Sequence, residues 1–82
     1  MKKIIYGSNK NLIYENLKLQ RIKKGLTQNQ LAAKMQLMNV NIDQQMISKI
    51  EHNNRFVTDY ELVCICKILN VKMEDMIKDF RE

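Results

Sequence analysis

The stretch Leu26–Glu51, LTQNQLAAKMQLMNVNIDQQMISKIE, leaves this chain little freedom in how it folds. Thr27 followed by Gln30 is a capping box, in which the Thr hydroxyl accepts from the backbone N–H three residues on and the Gln side chain reaches back. A helix therefore starts at Thr27. Leu31, Met35 and Met38 recur at spacings of four and three, which predicts an inward stripe along that helix, and Ala32 leaves room for a close neighbour. Asp43 opens a second helix, because a carboxylate there accepts from free N–H groups and suits the positive helix end. Met46, Ile47 and Ile50 form its inward side. Gln44, Gln45, Ser48 and Lys49 form an outward face with no apolar residue.

In two pieces, L-T-Q-x-Q-L-A-x-K-M and I-S-K-I-E, the stretch resembles the lambda-repressor-like (Cro or Xre type) helix-turn-helix family. The resemblance runs from about Ile13 to about Ile77, nearly the whole chain. It implies an all-α, compact five-helix DNA-binding domain with a scaffold helix over about 28–38 and a recognition helix over about 44–52. In such domains the recognition helix lies in the major groove and its first residues reach base edges. Gln44 and Gln45 match those positions, and a Gln amide can bond adenine N6 and N7 together, while Lys49 has the chemistry for guanine O6 or N7. Gln28 matches a position that contacts phosphate, and Lys34, Ser48 and Arg55 join it as expected backbone contacts. The resemblance also pairs Arg21 with Glu51 as a structural ion pair; an Arg on an inward stripe needs such a partner, since an unpaired buried charge is very costly.

The chain departs from the family at the turn. Gln36 stands where the family has Gly, and Leu37 to Asn41 are extra. Either the scaffold helix runs on to Met38 with Asn39 in a left-handed cap, or the insertion forms a surface bulge. Asn53 likewise stands at a family Gly position.

At 82 residues, with 45% apolar residues, no proline and only Gly7 and Gly25 as glycines, the chain supports one small helical domain. The net charge of +5 is unevenly spread: residues 1–55 carry ten Lys or Arg against three acids, residues 56–82 four against six. The basic portion contains the two-helix motif, and a polyanion is its natural partner because phosphate neutralisation releases counterions. No run is long enough for a membrane span or a signal peptide, so the expected location is cytoplasmic.

Residues 1–9 read as an N-terminal arm, with Ile4, Ile5 and Tyr6 apolar enough to pack and Lys2 and Lys3 able to touch phosphates; residues 10–82 read as the domain. Ser8 or Asn9 is expected to cap a first helix that runs to Lys24 and stops at Gly25. Thr58 and Glu61 form a second capping box, opening a helix to about Leu69 with Leu62, Ile65, Cys66 and Leu69 inward and Cys64 partly exposed. Met73, Met76, Ile77 and Phe80 suggest a short fifth helix, weakly capped at Lys72.

Cys64 and Cys66, two apart on a helix, point about 200° apart and cannot pair or chelate together. With His52 as the sole histidine there is no zinc ligand set, and no nucleophile, base and orienting group can be assembled. The expected function is a double-stranded DNA-binding transcriptional regulator, a repressor, with no enzyme activity, cofactor or metal. Homodimerisation is expected through the C-terminal helix or the N-terminal arm. Two alternatives stay open: the antitoxin of a toxin–antitoxin pair with autoregulatory DNA binding, and an adaptor that uses the fold to bind another protein.

Overall fold

The computed structural model describes residues 8–77. Among them are five helices and no strand: α1 Tyr14–Lys23, α2 Gln28–Leu37, α3 Gln44–Glu51, α4 Asp59–Leu69 and α5 Met73–Met76. The expectations for Lys2, Lys3, the apolar residues of the arm and Phe80 lie outside the described residues.

Both capping boxes are present. Thr27 Oγ1 accepts from Gln30 N at 3.0 Å and Gln30 Oε1 from Thr27 N at 2.9 Å. Thr58 and Glu61 repeat the exchange at 3.3 and 3.0 Å. Asp43 caps α3 through Oδ1, which accepts from Met46 N at 2.8 Å. Each cap satisfies donors that the first helical turn leaves without a backbone partner.

The exits of α1 to α4 share one geometry. Gly25, Asn39, Asn53 and Asn70 sit at φ 71°, 63°, 60° and 54°. The next residue in each case donates its N–H to the carbonyl five positions back: Leu26 to Arg21, Val40 to Met35, Asn54 to Lys49 and Val71 to Cys66, at 3.1, 3.1, 2.8 and 3.0 Å. These are Schellman closures, for which Gly is the easiest residue and Asn the usual substitute. The longer turn is thereby resolved. α2 ends at Leu37, Asn39 takes the left-handed position, and Gln36 donates from Nε2 to Ile42 O at 2.8 Å, bracing the loop from behind.

Val40 and Ile42, inside that loop, are buried with Leu17, Leu31, Met35, Ile47, Ile50, Ile65, Leu69 and Met76 in one apolar core. Met38 is the exception to the inward stripe of α2: it lies past the helix end, at the cap, and is exposed. Cys64 is corrected in the opposite sense. It is only 3% exposed, because α4 packs against α2 on one side and α5 on the other, so its apolar face is wider than one stripe.

The start of α1 also differs from expectation. Neither Ser8 nor Asn9 caps it; Ile13 is the N-cap and no side chain closes it. Residues 9–11 are used instead to tie the N-terminal segment to the exit of α3. Asn53 Oδ1 accepts from Lys10 N at 2.9 Å and Asn11 N at 3.4 Å, and Asn53 Nδ2 donates to Asn9 Oδ1 at 2.7 Å. The buried Asn11 amide donates to Ile50 O and Arg55 O. α5 lacks a side-chain N-cap and is held from the side by Asn16, whose Nδ2 donates to Met76 O at 3.0 Å.

Candidate nucleic-acid interface

α3 carries the expected polar face. Ile47 and Ile50 are fully buried and Met46 is half-buried against the core, so the 3.6-residue period turns Gln44, Gln45, Ser48 and Lys49 away from it. Gln45 and Lys49 are exposed; Gln44 and Ser48 are half-buried.

Behind this face runs a connected polar network. Arg21 Nε donates to Glu51 Oε2 at 2.7 Å and its Nη2 to Glu51 Oε1 at 3.1 Å, while Nη1 donates to Leu26 O at 2.8 Å. Arg21 and Glu51 are both buried, and the fork-to-carboxylate geometry compensates the lost hydration of each. Glu51 Oε1 also accepts from Gln28 Nε2 at 3.0 Å, and Gln28 Oε1 accepts from Gln44 Nε2 at 2.6 Å. The chain Arg21–Glu51–Gln28–Gln44 thus crosses α1, α3 and α2 and returns to the first residue of α3. Gln44 retains its Oε1 and a second amide hydrogen, the pair that a bidentate adenine contact uses.

Lys34 is exposed on α2. Ser48 O receives His52 Nδ1 at 2.7 Å, which fixes the imidazole over the last turn of α3. Arg55, expected on the phosphate backbone, has its guanidinium turned into the protein. Nη1 and Nη2 donate to Glu61 Oε1 and Oε2 at 2.8 and 3.0 Å, and Nη1 also reaches Phe56 O. The hydrogen bonds to Glu61 raise the Arg55 pKa above its already high ordinary value. Burial alone would push the Glu61 carboxyl up, but the bonds from Arg55 and Thr58 outweigh it and the group titrates below the ordinary carboxylate value. The signal for this pair is in the sequence: Glu61 is the capping-box acid of α4, and an Arg in the loop leading to that helix can reach it.

A helix-turn-helix family model matches residues 17–76. The chain belongs to the Cro/C1-type, lambda-repressor-like helix-turn-helix family. The family is all-α, as the five helices are, and makes the chain a DNA-binding helix-turn-helix regulator. No curated protein matches the sequence. Among the described residues no helix is long and apolar enough to cross a membrane, and no group of His, Cys, Asp or Glu is arranged to hold a metal ion.

Proposed function

We propose that this helix-turn-helix protein recognises a specific double-stranded DNA site and represses transcription by occupying it. The reading rests on one observation above the others. The outward face of α3 is polar along its length, and its leading residue Gln44 is held by Gln28 against a buried ion pair. A side chain fixed before binding loses less entropy on contact than a free one. In this reading Gln44, Gln45 and Lys49 address base edges, and Gln28, Lys34 and Ser48 lie toward the phosphates. Gln28 has a second amide hydrogen without a partner among the described residues. Arg55 is assigned to the ion pair with Glu61 rather than to DNA.

Selection from a random duplex library at moderate salt tests the reading. The expected result is an enriched motif of inverted half-sites about one helical turn apart, with adenine opposite Gln45 and discrimination at that position lost in Gln45→Ala. Binding that enriches no motif and collapses with added salt would overturn it, since phosphate neutralisation alone gives that behaviour. A promoter fusion containing the selected site gives the sign of regulation: repression that Gln45→Ala relieves supports the repressor reading, and activation contradicts it.

A further inference from the structure

Outside the recognition face, exposed apolar side chains of two elements line one groove. Tyr60 and Val63 of α4 and Met38 just past the end of α2 are all exposed there, Tyr60 by 60%. Scattered exposed apolar residues are ordinary, but a contiguous patch with polar edges marks an interaction surface. The groove, of about 450 Å³, lies between α4 and the inserted turn, with Met38 and Val40 on one wall and Tyr60 and Val63 on the other. Met38 and Val40 both belong to the extra residues Leu37 to Asn41, which build this wall.

The charges on the rim identify the occupant. Asp59, Val63 and Lys67 stand at spacings of four along α4, forming one ridge of the helix. Asp59 and Lys67 both line the groove and are exposed. If a second α4 crosses the first antiparallel with Val63 at the crossing, Asp59 of each copy meets Lys67 of the other, giving two ion pairs. A parallel crossing sets Asp59 against Asp59 and Lys67 against Lys67. A two-fold axis perpendicular to α4 at Val63 generates the antiparallel arrangement between identical copies, the charges disfavour the parallel one, and an aromatic residue such as Tyr60 beside an apolar centre fits a dimer contact. We propose that this face of α4, with the inserted turn as its wall, is the self-association surface of the protein, occupied by the same face of a second copy. The surface lies on the body of the domain and not at either terminus. Its use in placing two recognition helices on inverted half-sites rests on the DNA reading above; the dimer itself does not.

The test is sedimentation equilibrium of the full chain, alone and with charge-reversed variants. Wild type is expected to self-associate. Asp59→Lys and Lys67→Asp should each weaken association by about tenfold or more, because each reversal turns two attractive contacts repulsive. An equimolar mixture of the two single variants should associate close to wild type. In the mixed pair one copy carries lysine at both positions and the other carries aspartate at both, so the two contacts across the axis are attractive again. The double variant should do the same, since it exchanges the two charges and leaves each facing its opposite. Val63→Glu sets like charges together at the crossing and should abolish association while circular dichroism shows the helices intact; it covers the case that Asp59→Lys weakens the start of α4. A wild type that stays monomeric, reversals without effect, or a mixture that fails to restore association would each overturn the proposal. A monomeric Val63→Glu protein that still selects a single half-site leaves the DNA reading standing. An associating wild type that selects no motif removes that reading and leaves the dimer.

Discussion

Gln28 holds Gln44 across the motif: the Gln28 carbonyl oxygen accepts from the Gln44 amide at 2.6 Å while its own amide donates to Glu51 at 3.0 Å. The scaffold helix thus connects the first residue of the recognition helix to an ion pair that is itself part of the core. Replacing Gln28 by Ala leaves both Arg21–Glu51 bonds in place, so stability should fall by no more than about 1 kcal/mol, the worth of a typical hydrogen bond. Affinity for the selected duplex should drop about tenfold, as expected for one lost positioning contact, and affinity for a scrambled duplex should drop less. Fluorescence anisotropy on both duplexes checks this. An equal loss on the two would assign Gln28 to phosphate contact alone.

The bidentate Arg55–Glu61 pair couples the loop after α3 to the first turn of α4. Glu61→Gln keeps the capping box, which accepts Glu or Gln, and removes the charge. It should cost about 2 kcal/mol at neutral pH, the scale of a charge-assisted hydrogen bond. Because the folded carboxyl titrates below its ordinary value, its contribution is complete above the unfolded pKa of about 4.3 and is lost as pH falls through the lowered folded value. The stability gap between wild type and Glu61→Gln should therefore be flat from pH 6 to 8 and close below about pH 4. Urea melts across that range measure it. A gap unchanged into acid would show that the charge contributes nothing.

Burial pushes both thiols up, with Lys67 pulling Cys64 back only in part. The reactive species is the thiolate, so neither cysteine should be alkylated at pH 8 in the native protein, and both should react fully in denaturant. Mass spectrometry after timed iodoacetamide treatment reads the outcome. Rapid native modification of Cys64 would mean that the contact of its Sγ with Met38 Sδ, 3.6 Å in the fold, opens readily.

The helix starts at Thr27, Asp43 and Thr58 were legible because each depends on residues three or four apart, a range at which side-chain chemistry alone decides the geometry. The Arg21–Glu51 pair came from family resemblance, and its desolvation argument only said that some partner must exist. What escaped depends on longer reach. Asn11 enters the core region through carbonyls of Ile50 and Arg55, about forty residues on, and nothing near Asn11 announces them. The burial of Cys64 follows from helices on two sides of α4, which a single-helix period does not encode. Asn39, Val40, Asn41 and Ile42 alternate polar and apolar, and that alternation does signal burial of Val40 and Ile42. Four residues are too short a run to separate an inward-anchored turn from a bulge.

Asn39 and Asn53 hold the same left-handed backbone at φ 63° and 60° with the same closing hydrogen bonds, yet only Asn53 should lose stability on replacement by glycine. No side-chain hydrogen bond of Asn39 is among the contacts of the inserted turn, so Asn39→Gly exchanges mild left-handed strain for extra unfolded-state freedom. These offset to within about 0.5 kcal/mol, whereas Asn39→Ala should lose about 1 kcal/mol to the steric cost of the left-handed region. Asn53 adds three bonds from its side chain to Asn9, Lys10 and Asn11. Asn53→Gly keeps the turn and releases that strap, which should cost about 1–2 kcal/mol given bonds that are partly exposed. In a domain of this size the gap corresponds to a melting-temperature difference of roughly 5–10 °C between the two glycine variants. Thermal melts by circular dichroism decide it: if both variants melt together, the tie between the N-terminal segment and the exit of α3 contributes no stability, and the late start of α1 must be fixed by Asn11 alone.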